Sequence, residues 1–182
     1  MNIKGIDAFN VNSTGVRFGI LFASLVLVQV LIFNHILLFG VAVPLVFIFF
    51  IISLPVGMNI NILYTLAFLL GLTVDVFSDT AGLNALSCVL LAALKNPVFY
   101  AYVQKDDKSR FIFPSISTIG WTNYAKYLIT MTAIYCVLLF SFEYFSFASF
   151  GLLLLMIIGS TILTFFLLLA LEAIFMGGIE KR

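Results

Sequence analysis

Asp75 and Asp79 are the residues of this chain whose type and spacing best suit chemistry. They stand four apart, and from Phe18 to Val74 no side chain carries a charge. At helical spacing, i and i+4 lie one turn apart on one face. Gly71 and Gly82 fall close to the same stripe, which reads small–acid–acid–small. Two carboxylates on one face can hold a divalent metal or act as an acid–base pair. An acid at the centre of a membrane span costs about 2.5–3.5 kcal/mol and less near its ends. That cost is tolerable, so a polar contact within the bundle or with a partner helix explains the pair without a reaction.

The catalytic reading needs further elements. Lipid-head-group phosphotransferases of the CDP-alcohol type share the Asp-x3-Asp spacing but carry an Asp-Gly-x2-Ala-Arg element upstream. Here the residues before Asp75 are plainly apolar. Intramembrane aspartyl proteases need a second acidic span and a Gly-x-Gly-Asp element, also absent. The expectation is therefore a protein with no catalytic residues, no cofactor and no metal. Cys88 and Cys136 both lie in apolar segments, without a His at metal-ligand spacing, and read as small buried side chains.

The elements that must position these residues are membrane spans. Of 182 residues only 9% are charged, against about 25% in soluble domains, and the mean hydropathy is +1.21. A net charge of +1 gives no reason to expect nucleic acid. The N-terminal apolar run is too long for a signal h-region and lacks a small-residue cleavage site, so it reads as a retained anchor. With about 20 apolar residues per crossing, the sequence predicts one membrane domain over 1–182. It is an all-α integral membrane protein, a six-transmembrane-helix bundle with spans at roughly 18–39, 41–56, 62–78, 83–103, 124–142 and 150–175. Ser13 or Thr14 would cap the first. Pro44 and Pro55 fall near the ends of the second, and Lys95-Asn96-Pro97 should stop or kink the fourth.

The basic residues orient this set. With a cytoplasmic N-terminus, Lys4, Arg17, Lys105, Lys108, Arg110, Lys126, Lys181 and Arg182 collect on the inner side, while Asp79 and Glu143 lie in outer turns that hold no Lys or Arg. This is the positive-inside pattern, and it places both termini in the cytoplasm. Lys95 then reads as an inner-end anchor whose ammonium snorkels to the phosphates, and Glu172 as an ion-pair candidate. His35 falls at the outer end of span one. Gly15, Gly19 and Ala23 make a small-residue stripe in span one, with a weaker version at Ser160 and Thr164; such stripes let helices approach closely, within the chain or between chains. The segment QKDDKSRFIFPSISTIGW reads as an interfacial loop or a docking surface for a cytoplasmic protein.

The run FLLGLTVDVFSDTAGLNALSCVLLAALKNP resembles the signature region of the rod shape-determining protein MreD family, in the version of Bacteroidetes-like bacteria. The family pattern, Gly-Leu-x2-Asp, a short polar turn, then Gly-Leu/Met-His-Ala, is met by Gly71, Leu72, Asp75, Gly82, Leu83 and Ala85, with Asn84 where His is usual. The resemblance implies a non-enzymatic scaffold subunit of the elongation machinery in the bacterial cytoplasmic membrane. It implies an MreC-like single-span partner besides membrane lipid, and work alongside RodA, a penicillin-binding transpeptidase and MreB filaments in side-wall peptidoglycan synthesis. The family is also similar in fold to the S-components of vitamin transporters, which implies the rival reading of a small-molecule-binding subunit. Candidate contact residues are Gly71, Asp75, Asp79, Gly82, Asn84, Gly15, Gly19 and Ala23.

Overall fold

A computed structural model of the chain describes residues 4–33, 42–103, 112–143 and 150–179. Seven α-helices are formed among them: α1 (Lys4–Leu31), α2 (Phe49–Ser53), α3 (Ile60–Ser78), α4 (Leu83–Tyr102), α5 (Ile116–Ile119), α6 (Trp121–Glu143) and α7 (Phe150–Ile179). In α3, α4, α6 and α7 the length and apolar composition suffice to cross a membrane, and α1 contributes a shorter apolar stretch, Gly15–Leu31. The chain is a multi-pass helical membrane protein. Its exposed surface is studded with large apolar side chains such as Ile20, Leu31, Val76, Phe166 and Ile174, as a lipid-facing surface requires.

Consecutive long helices pack on one another, with α3 against α4 the most extensive contact, followed by α4 on α6 and α6 on α7. The turn between α3 and α4 defines one end of the bundle, the hairpin end. At the opposite end Val56 and Ile112 exchange backbone hydrogen bonds of 2.8 and 3.2 Å as an isolated antiparallel bridge. We refer to it as the bridge end.

Residues 42–56 do not make the single helix expected there. Val43–Leu45 are non-helical, Val46–Ile48 form one 3-10 turn, α2 adds five residues, and Leu54 is extended at φ −57°, ψ 147°. Proline is the cause: it disfavours helix at the residue before it, so Pro44 and Pro55 leave only the stretch between them free to coil. A helix apolar on every side is a buried helix, and Leu45–Ile52 are all buried among the other elements. Irregular backbone is tolerated at membrane depth only inside protein, where its N–H and C=O groups find partners. Gln29 of α1 supplies two, donating to the Pro44 carbonyl at 3.0 Å and accepting from the Val46 N–H at 2.9 Å. From α7, Ser160 accepts from the Val43 N–H at 3.0 Å and Thr164 from the Leu45 N–H at 3.1 Å.

Two further expectations are corrected. Helix α1 runs through Ser13 and Thr14 rather than starting after them. Pro97 sits within α4, which continues to Tyr102. The carbonyl it deprives of a partner belongs to Ala93, an exposed residue, while Phe99, fully buried two residues on, packs edge-to-face on Tyr127 at 5.6 Å and holds the last turn in place. His35 and residues 104–111 lie outside the described residues.

Candidate functional site

The acidic stripe is broken where the helix ends. Asp79 adopts the left-handed conformation (φ 54°, ψ 40°) that terminates α3, so it no longer shares a helical face with Asp75. Asp79 is exposed, whereas Asp75 is only 3% exposed. The paired-carboxylate arrangement is therefore absent: one acid is a turn residue and the other faces the interior.

Asp75 caps the next helix. Its Oδ2 accepts from the Ala85 N–H at 2.8 Å, and its Oδ1 accepts from the Asn84 N–H and the Asn84 side-chain amide, both at 3.0 Å, and from the Thr80 hydroxyl. Asn84 and Ala85 belong to the first turn of α4, whose N–H groups have no partner within the helix. The residue at the N-cap position is Gly82, with no side chain to offer. A carboxylate from the preceding helix does that work, and its negative charge also suits the positive end of the α4 dipole. Gly82 stands at φ +84°, a conformation that L side chains rarely adopt, and this closes the turn.

Gly71 serves a different purpose. A Cβ there would lie 2.4 Å from the Ala85 Cα and 2.5 Å from the Asn84 carbonyl oxygen, so the α3 and α4 backbones touch at this residue. The structure thus brings Gly71, Asp75, Asn84 and Ala85 together at one close crossing, with Gly82 closing the turn beside it. Asn84 extends the network, its Oδ1 accepting from the Tyr135 hydroxyl of α6 at 2.7 Å. Tyr135 is itself fully buried and packs edge-to-face on Phe47 of the irregular segment at 5.7 Å. The spacing of Asp75 and Asp79 gave no sign of Tyr135, because long-range partners leave no periodic trace.

Lys95 corrects another expectation. It is 0% exposed, and its ammonium donates to the Leu54 carbonyl just beyond α2 rather than reaching a membrane surface. A cation beside the carbonyl end of a helix is electrostatically favoured, and the residue ties α4 to the irregular segment. Glu172 does not serve as its counter-ion: its carboxylate lies beside Tyr124 and accepts from the Ile116 N–H of α5 at 3.4 Å. Ser160 and Thr164, which the sequence offered as a small-residue stripe, act as hydrogen-bond acceptors. Cys88 and Cys136 are free and buried.

Gly15, Gly19 and Ala23 lie elsewhere. All three are exposed, and a Cβ added at Gly15 or Gly19 would meet nothing within 4 Å. The close neighbour that such a stripe accommodates is not supplied by the described residues of this chain.

The hairpin end also holds a cavity of about 480 Å³ between α1, the irregular segment, α3, α4 and α6. Its walls include Phe47, Phe77 and Phe140, and Gln29, Ser78, Thr80, Asn84 and Glu143 are its polar groups. Among the described residues no cluster of three His, Cys, Asp or Glu side chains is placed to hold a metal ion. No protein-family model, no curated protein and no solved structure matches the chain.

Proposed function

We propose that this protein is a non-enzymatic scaffold subunit of the bacterial elongation machinery, seated in the cytoplasmic membrane and binding an MreC-like single-span partner. RodA, a penicillin-binding transpeptidase and MreB filaments would be its wider company. The observation that carries the reading is the use made of Asp75. The one buried acid of the signature region directs both oxygens at the α4 backbone and its neighbours, so the motif reads as a packing device rather than a reaction centre. Support for association comes from Gly15, Gly19 and Ala23, whose outward stripe is free of this chain's described residues and shaped for a foreign helix.

Six crossings with both termini cytoplasmic fit this reading. The irregular segment, with extended, 3-10 and helical rises of about 3.3, 2.0 and 1.5 Å per residue, has a contour length of about 35 Å, enough for a hydrocarbon core of about 30 Å. The hairpin end would then face outward.

Depletion in the native host tests the scaffold directly: cells should lose their shape, and the protein should co-purify with an MreC-like partner in mild detergent. Gly15→Ile with Gly19→Ile should abolish co-purification while the protein still inserts and folds. Normal shape with no partner recovered would overturn the reading.

A second reading, a small-molecule-binding subunit similar in fold to S-components, is favoured by the cavity at the hairpin end. Its size lies within the range of about 300–1,000 Å³ typical of ligand sites.

A further inference from the structure

We infer that the hairpin-end cavity binds a small organic cation, an ammonium group carried on an aromatic or alkyl body. The inference deepens the second reading, that the cavity holds a small molecule, and is independent of the scaffold proposal.

Three features select the charge. The first is the pattern of ionisable groups. Glu143 lines the cavity and Asp79 is exposed on the turn at the same end of the bundle. No described basic residue balances them: Arg17 adjoins Phe18, which stacks on Phe113 near the bridge; Lys126 lies in the early turns of α6, towards that end; and Lys95 is held inside by the Leu54 carbonyl. The second is the direction of the helices. Helices α1, α3 and α6 all end at this cavity, with Leu31, Ser78 and Glu143 in its lining. The carbonyl end of each carries a partial negative charge equivalent to about half an electron. Of the two helices whose N-termini lie at this end, α7 contributes no residue to the lining, and α4 already has its first-turn N–H groups facing the Asp75 carboxylate. An anion would therefore meet three repelling helix ends and no free cap.

The third feature is the wall. Phe77 offers exposed aromatic surface, whose π-face attracts ammonium groups, while Phe47 and Phe140 stand buried in the wall behind it. Val43, Leu45 and Leu139 complete an apolar lining that a bare metal ion would not use. The other polar groups of the lining are already engaged, Gln29 with the Pro44 and Val46 backbone, Asn84 with Asp75 and Tyr135, Thr80 with Asp75, and Ser78 with a partner of its own. Glu143 makes no such contact with the described residues, and its carboxylate is the group placed to face an incoming charge.

The test uses the full-length protein in nanodiscs and three benzyl probes: benzyltrimethylammonium, its uncharged carbon isostere neopentylbenzene, and the smaller anion phenylacetate. Binding is read by calorimetry with empty nanodiscs subtracted. The cation should bind saturably and at least tenfold more tightly than the other two. Glu143→Gln should weaken the cation by about tenfold while leaving neopentylbenzene unchanged, and Leu139→Trp, which fills the cavity, should reduce both. Unfolding temperatures of the two variants near wild type establish that the fold is retained. If the neutral or anionic probe binds as well as the cation, or Glu143→Gln binds it like wild type, the cation assignment falls while the small-molecule reading stands. If none of the three binds, both fall.

Discussion

Replacing Asp75 by Asn exchanges one carboxylate oxygen for an NH2 group and tests the assignment of this residue as a cap. The amide oxygen can keep the Oδ1 position, where it still accepts from Thr80, the Asn84 N–H and the Asn84 side chain. Its NH2 then faces the Ala85 N–H that Oδ2 accepted at 2.8 Å. Two donors now oppose each other at a buried position, and a buried donor left without a partner costs about 1–3 kcal/mol. Loss of the negative charge at the α4 N-terminus removes about 0.3–2 kcal/mol more. The flipped amide is worse, because three donors would face NH2. We expect a penalty of about 3 kcal/mol, which is on the order of a hundredfold in an opening equilibrium. Cys88 supplies the readout: it is fully buried on α4, one turn beyond Asn84, and a maleimide reaches it only when α4 separates from its neighbours. In a Cys136→Ser background, Asp75→Asn should accelerate labelling of Cys88 by about a hundredfold. Asp79→Asn should leave the rate within about twofold, because the residue is exposed and Asn tolerates the left-handed conformation. Labelling of the Asp75→Asn protein at the wild-type rate, or equal acceleration by both changes, would refute the capping argument.

Other expectations follow from the same contacts. Gly71→Ala should destabilise by about 3 kcal/mol in detergent unfolding, since the new methyl has no room before the Ala85 backbone and the helices must separate. Gln29→Leu frees the Pro44 carbonyl and the Val46 N–H together and should cost about 2–5 kcal/mol; Ser160→Ala, which frees one N–H, should cost about 1–3 kcal/mol in the same assay. Lys95→Met should lose no more than about 2 kcal/mol, because a similar apolar chain replaces a buried ammonium. Lys95→Glu should prevent accumulation of folded protein, because a carboxylate would face the Leu54 carbonyl; size-exclusion chromatography separates the two outcomes.

The long helices were legible because their signal is local: α3, α4, α6 and α7 begin and end close to where apolar run length, glycine and turn residues indicate. The Asp75 region was legible as a unit, yet its interpretation depended on the helix ending at Ser78, and one residue of left-handed backbone at Asp79 separates a shared face from a cap and a turn. The irregular segment shows the opposite limit. A stretch as apolar as Leu45–Ile52 reads alike whether lipid or protein surrounds it, and only the two prolines hinted that it would not be one helix. Gln29, Lys95, Ser160 and Thr164 were visible as polar residues in apolar runs, but their partners are backbone groups, which sequence does not label. The hairpin-end cavity is assembled from five elements, so no local pattern announces it.

The two sets of partners for the irregular segment reach it at different times during synthesis. Gln29 precedes the Pro44 and Val46 groups it binds by 15 and 17 residues, so it is present when they leave the ribosome. Ser160 and Thr164 follow theirs by 117 and 119 residues. At about 5–20 residues per second, Val43 and Leu45 wait on the order of ten seconds for their acceptors. Through that interval the segment has one clamped edge and one open edge, and lipid offers the open edge nothing. The nascent protein therefore holds an unfinished strand of backbone until its last helix arrives, and α7 works as the closing staple of biogenesis as much as a wall of the finished bundle.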